Sequence, residues 1–191
     1  MTHGPHWGGT IRKLWPSESD KLRDHLLRLD MTNRRLRFAH AVSDRFIIDY
    51  AERQPDMGSV IHAYIEAGQV RAVAELRRLS RDWGPEAEAA FSVEPDWQGR
   101  GIGNDLMGRV VRSARNRGVH HLLMSCLAEN RKIQAIARKH HAELTFEQGD
   151  VIGTISPDNA TYLSQFEESI GDEFDFMIAV LDISKANLNV A

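Results

Sequence analysis

The segment Val93-Glu94-Pro95-Asp96-Trp97-Gln98-Gly99-Arg100-Gly101-Ile102-Gly103-Asn104 constrains the fold of this chain more than any other. An apolar run ends at Val93, and three glycines follow between positions 99 and 103. An amphipathic helical pattern then begins at once, with Ile102, Leu106, Met107, Val110, Val111 and Ala114 on one side and Arg109, Arg112 and Arg115 on the other, until Gly118 ends it. A strand, a glycine turn and a helix in that order bring backbone N–H groups together at the positive end of the helix. There each favourable anionic contact contributes about 0.3–1 kcal/mol. The segment predicts a pyrophosphate cradle. Its glycines are spaced by two and two, which fails the dinucleotide fingerprint G-x-G-x-x-G, and no Gly-Lys-Ser/Thr follows as a P-loop requires.

The elements around this segment alternate in type. Thr10 to Trp15 reads as a first strand, and a helix capped by Ser17 runs through Asp30. A second amphipathic helix covers Ser43 to Arg53, with Phe46, Ile47 and Tyr50 inward and Pro55 as its stop. The basic residues Arg34, Arg35 and Arg37 lie between these helices. Val60–Ile65 and Val70–Leu79 flank the turn Ala67-Gly68-Gln69 as a β-hairpin, and Ala87–Val93 forms a third strand. Beyond the glycine helix come a strand His120–Leu127, a helix from about Asn130 to His141, and two strand-like segments, Leu144–Gln148 and Val151–Ile155. Asn159–Ile170 reads as helix, and Phe174–Ile183 as either helix or closing strand. Such alternation predicts an α/β (α+β) fold with one central sheet, mixed and mostly antiparallel, flanked by helices. At 191 residues and 42% hydrophobic, the chain suits a single domain over residues 10–183, with flexible ends at 1–9 and 184–191.

Here the sequence resembles a family. The pattern V-x-P-x-x-Q-G-R-G-I-G, carried by Gln98, Gly101 and Gly103, is similar to the acetyl-CoA-binding motif of the GNAT superfamily of N-acetyltransferases. The strand His120–Leu127 followed by Asn130 resembles the family's second cofactor segment, so that the likeness covers about residues 60–145. The resemblance implies that Phe91, Ser92 and Val93 offer backbone groups to the pantetheine arm of acetyl-CoA. It also implies that Gln98, Gly99, Arg100, Gly101, Ile102, Gly103 and Asn104 hold the pyrophosphate, and that Asn130 bonds the pantetheine or acetyl end. Arg100, Arg131 and Lys132 stand where they could neighbour the CoA phosphates.

Acetyl transfer to an amine needs the neutral nucleophile, yet an alkyl amine with a pKa near 10.4 is protonated at neutral pH, so a base must take its proton. Glu88, ten residues before Gln98, is the first candidate and occupies the position where many family members carry a glutamate base. The other reading of Glu88 is a solvent-facing carboxylate beside Glu86. Glu75, within Ala72-Val73-Ala74-Glu75-Leu76, is the second candidate because partial burial would raise its basicity. A backbone N–H near Phe91–Val93 would polarise the carbonyl. The tyrosine that many members carry seven residues after the asparagine is Ala137 here, leaving water or a residue such as Tyr162 to protonate the leaving thiolate. The expected activity is therefore an acetyl-CoA-dependent N-acetyltransferase acting directly on a primary amine, of a protein lysine or of a small molecule. The alternative is a non-catalytic acyl-CoA-binding sensor or regulatory module that keeps the cradle.

Charge and composition narrow the partners. With 24 Lys and Arg against 27 Asp and Glu, the net charge of −3 gives no nucleic-acid footprint. No run of apolar residues suits a membrane span, and Met1 to Gly9 lack the pattern of a signal peptide, so a cytoplasmic protein is expected. Cys126 reads as a buried structural thiol. The pairs His120-His121 and His140-His141 lack metal-ligand spacing, and no metal is expected. Phe166, Ile170, Phe174, Phe176 and Met177 could form a homodimer surface, although core packing is the simpler expectation for them.

Overall fold

The computed structural model describes residues 8–54 and 58–188. Seven strands form one sheet in the order β1-β2-β3-β4-β5-β7-β6: β1 (Thr10–Leu14), β2 (Val60–Glu66), β3 (Gln69–Arg78), β4 (Glu86–Val93), β5 (His121–Leu127), β6 (Glu143–Glu147) and β7 (Asp150–Ile155). Every pairing is antiparallel except β4 with β5, so the sheet is mixed as expected. Six helices accompany it: α1 (Ser19–Arg28), α2 (Met31–Phe38), α3 (Asp44–Arg53), α4 (Ile102–Asn116), α5 (Arg131–Lys139) and α6 (Tyr162–Leu188).

Alternation along the strands divides the core between the two faces of the sheet. Ala72, Ala74, Leu76, Ala87 and Ala89 point towards α4 and meet Leu106, Met107, Val110 and Ala114. Ile61, Ala63, Ile65 and Val73 point the other way and meet Leu22, Leu26, Ile47 and Tyr50 from α1 and α3. The alanines on β3 and β4 let α4 lie close to the sheet, which fixes the glycine turn at its N-terminus.

Three elements differ from the sequence reading. The basic stretch between the first two helices is itself a helix, α2; Asp30 caps it by accepting the Asn33 N–H at 2.7 Å. The helix expected from Ser17 starts as a 3-10 turn, Pro16–Glu18, and becomes α1 at Ser19. The C-terminal region is one continuous helix to Leu188, past the limit expected at 183. Pro55, expected to stop α3, and the ends 1–7 and 189–191 lie outside the described residues. Among the described residues no helix is long and apolar enough to cross a membrane.

Candidate active site

The parallel pairing of β4 and β5 lasts only from Glu86↔His121 through Ala87↔Leu122 to Glu88↔Leu123. Beyond that point β4 pairs with β3 alone as far as Val93, and β5 pairs with β7 alone as far as Leu127. The strands therefore open into a V whose apex is Glu88. Backbone N–H and C=O groups on the inner edges of the V are left for another partner. A cleft of about 1160 Å³ fills the opening, roofed by α2 and α3 on one face and reaching α4 and α5 on the other.

At the wide end of the V the glycine loop meets α4. Gly101 adopts φ +88° as the residue preceding α4, a left-handed conformation that favours glycine. Gly103 lies so close to α5 that a Cβ there would come within 3.0 Å of the Ile136 Cδ1. The Asn104 and Asp105 amides both donate to the Gly101 carbonyl, at 2.9 and 3.1 Å, while those of Ile102 and Gly103 precede the first intrahelical acceptor, and Gly99, Gly101, Gly103 and Asn104 line the cleft. Arg131, Lys132 and Lys139 from α5 border the same end and supply positive charge. Amide donors and positive charge at this end suit an anionic ligand.

Phe91, Ser92, Val93, Gln98, Ile102 and Asn130 also line the cleft. Arg100 does not line it; its guanidinium lies over the Trp97 ring at 5.7 Å. Gln98 acts as a latch: its amide donates to the Val93 carbonyl and to Asn33 Oδ1, each at 2.9 Å, and its Oε1 accepts from Lys132 Nζ at 2.6 Å. Asn130 caps α5 by accepting the Ile133 N–H at 3.4 Å. Trp97 donates to Glu66 Oε2 at 2.6 Å, which ties the loop to β2.

The narrow end is built from charged side chains. Glu88 lines the cleft and pairs with Arg77 at 2.8 Å. Glu75 sits on the same face of the sheet but is fully buried, and it does not reach the cleft itself. The Tyr50 hydroxyl donates to Glu75 Oε2 at 2.5 Å, and Arg37 donates to Glu75 Oε1 at 2.5 Å and to the Tyr50 oxygen at 2.9 Å. Burial, and then the charge on Glu75, push the Tyr50 phenol up to about 12, so it is a neutral donor over the working pH range. Tyr50, Arg37, Phe38 and Phe46 line the cleft above this pair, so α2 and α3 reach Glu75 from outside. The sequence reading missed Arg37 and Tyr50 as site residues. Their only local signal is a basic residue followed by apolar ones, which does not distinguish a solvated arginine from a buried one.

A second buried cluster secures the end of β4. Glu94 accepts from Arg28 at 2.9 Å and Arg71 at 3.0 Å and meets His25 Nδ1 at 3.2 Å, while His25 Nε2 meets the Ser92 hydroxyl at 2.9 Å. Burial lowers the His25 pKa, keeping the ring neutral at physiological pH. Ala137, at the position of the family's tyrosine, is fully buried in the core beneath α5 and does not line the cleft. Tyr162 is exposed at the start of α6 and does not line the cleft, so this arrangement does not place its phenol beside a thiolate. Cys126 is buried at the cleft wall, with its thiol pKa raised by burial. Among the described residues no group of three or more His, Cys, Asp or Glu is arranged to hold a metal ion.

Comparison with known proteins places this geometry. The model of the acetyltransferase (GNAT) family matches residues 23–142. The aminoglycoside N(6')-acetyltransferase type 1 of Salmonella typhimurium is 26% identical over 151 residues, spanning 77% of this chain and 87% of that protein. Among solved structures, the GNAT domain of S. lividans PAT superposes with a TM-score of 0.66 at 21% identity, over 78% of this chain and 90% of that one. A putative acetyltransferase from Salmonella typhimurium, solved with its cofactor acetyl-CoA, gives a TM-score of 0.59 at 16% identity, over 80% and 96%.

Proposed function

This chain belongs to the acetyltransferase (GNAT) family, and we propose that it is an acetyl-CoA-dependent N-acetyltransferase that acetylates a primary amine by direct attack, with Glu88 as the general base. The observation that carries the reading is the V between β4 and β5. It joins a glycine-lined anion cradle at its wide end to a cleft-lining carboxylate at its apex.

When bound, acetyl-CoA supplies an activated acetyl group as a thioester. The chain's own residues do the rest. The amides of the Gly99–Asn104 loop and the α4 N-terminus, with Lys132 and Arg131 beside them, take the pyrophosphate. The inner edge of Phe91–Val93, apart from the Val93 carbonyl that Gln98 holds, hydrogen-bonds the extended arm as an added strand would, directing its end toward the apex. Glu88 Oε takes the proton from the incoming ammonium, directly or through a water, freeing its lone pair for attack; as the C–N bond forms the C–S bond breaks, and the leaving thiolate takes its proton from water. Arg77 holds that carboxylate in place at 2.8 Å. Glu75 acts at one remove, through Tyr50 and Arg37, and is a positioning residue.

The acceptor enters between α2, α3 and the apex, as a protein lysine or as a small amine of the kind named for the aminoglycoside enzyme. We place the reaction in the cytoplasm, where a lone cysteine stays reduced, without nucleic acid or membrane as a partner. The test is release of CoA thiol from acetyl-CoA in the presence of a lysine peptide, an aminoglycoside or spermidine. Acceptor-dependent release that falls in Glu88→Gln supports the reading. Tight acetyl-CoA binding without acceptor-dependent release across a wide amine panel would leave the non-catalytic sensor.

A further inference from the structure

Helix α6 is amphipathic with its faces inverted. The side against the protein is polar. Glu168 accepts from the Ser113 hydroxyl at 2.9 Å, Asn116 Nδ2 at 2.6 Å and Arg117 Nη1 at 2.8 Å, and the Ser164 hydroxyl donates to Asn116 Oδ1 at 2.7 Å. Asp172 pairs with Lys13 Nζ at 2.6 Å, and Asp175 accepts the Lys13 backbone N–H at 2.8 Å. Glu168, Asp172 and Asp175, together with Ser164 and Ala179, form one stripe that locks α6 onto β1 and α4.

The opposite side is apolar. Leu163, Phe166, Ile170, Phe174, Met177 and Leu181 follow one another at spacings of 3, 4, 4, 3 and 4, the 3.6-residue repeat of a straight helix. That stripe is centred roughly 160° around the helix from the docked one. Its members are 40% to 66% exposed, so the expectation of core packing for Phe166, Ile170, Phe174 and Met177 fails. Phe176, 53% exposed, is off the stripe and meets Trp15 edge-on at 5.3 Å. A polar side turned in and an apolar side turned out is the reverse of what a helix on a free surface shows.

We infer that the outward stripe of α6 pairs with the same stripe of a second copy of this chain, forming a two-fold dimer. Two observations favour that occupant over a lipid surface. From Asp158 to Asp182 the chain carries no Lys or Arg, whereas interfacial helices carry basic flanks. The stripe exposes roughly 700 Å² of apolar surface, close to the ~800 Å² that each partner contributes to a standard stable interface. The six stripe residues are themselves uncharged, and the exposed Glu167 and Glu173 border them on either side, so a two-fold contact joins the apolar centre and leaves these carboxylates at its rim. Among the described residues none of α6 lines the cleft, so the stripe is separate from the site.

Sedimentation velocity on the wild-type chain decides the matter, read from about 1 to about 100 µM. The expected result is a mass rising to twice that of the chain. Phe166→Glu combined with Phe174→Glu should weaken the association about 100-fold or more, with acetyl-CoA titration unchanged. Should that variant fail to fold, Leu163→Gln with Met177→Gln tests the same stripe without adding charge. A wild type that stays monomeric overturns the inference, and so does a dimer indifferent to both variants. A monomer that floats with phosphatidylcholine vesicles also overturns it and assigns the stripe to a lipid surface.

Discussion

The two ends of the cleft are built from different materials. The wide end is made of main-chain amides, glycines and a helix terminus, with lysine and arginine only at its border. The narrow end is made of side-chain charge, with Glu75, Arg37 and Tyr50 sealed together and Glu88 paired with Arg77. A main-chain cradle recognises a group that every acetyl-CoA carries and tolerates drift in the surrounding residues. A cradle of paired side chains is specific to its own sequence, because each buried charge depends on its partner. The wide end should therefore fail through lost space and the narrow end through lost charge.

The most severe break is in the wide end. Gly101→Glu with Gly103→Glu imposes a strained backbone at φ +88° and fills the approach to Ile136. It should abolish measurable acetyl-CoA binding by calorimetry while circular dichroism still reports a folded chain; retained binding would show that the cradle lies elsewhere. Glu75→Gln comes next. It leaves the buried Arg37 cation uncompensated and should cost about 3–5 kcal/mol of stability, seen as a melting temperature lower by roughly 10 °C. A variant that melts with the wild type would dissolve the contrast drawn above.

Acid should loosen the α1–α3 layer before the wide end. Arg12 grips Glu18 with two hydrogen bonds, of 2.8 and 2.7 Å, at the base of α1. Burial alone would raise the Glu18 pKa, but the hydrogen bonds from Arg12, Lys21 and the Trp15 N–H outweigh it and lower the value from 4.5 to about 2. The folded value lies below the unfolded one, so the stabilisation is complete above pH 4.5 and drains away as the pH falls through about 2. The loss amounts to about 3 kcal/mol. Hydrogen exchange along an acid series should show α1 losing protection before α4, and Glu18→Gln should flatten that dependence.

The smallest of these effects falls at the apex. Glu88→Gln should lower kcat about 100-fold with the acetyl-CoA affinity nearly unchanged. An unchanged kcat would transfer the base to another group.

The same contrast explains what could be read from the sequence. The glycine turn and the helix after it were legible because their signal is local: glycines at fixed spacing between an apolar run and a helical period need no knowledge of distant residues. The hairpin Val60–Arg78 and the α4 pattern were legible for the same reason. Arg37 was not, since its burial depends on a carboxylate 38 positions away on another element. The capping pair Asp30 and Asn33 did announce α2, but a run of arginines masked it. Ala137 departs from the family pattern in the sequence itself, and only the packing of α5 shows that this residue faces the core. In α6 the apolar repeat was visible, but periodicity gives the pitch of a stripe and not which side faces the protein.

The parting of β4 from β5 acts as a ruler marked in whole residues. Strand pairing can shift only by integral steps, and a shift of one would turn Glu88 to the opposite face of the sheet. How far the cleft reaches into the molecule, and which side chain waits at its end, are thus counted rather than tuned. Substitutions in the roof can change which molecules enter, yet the position at which they stop is fixed by three rungs of the sheet, Glu86–His121, Ala87–Leu122 and Glu88–Leu123.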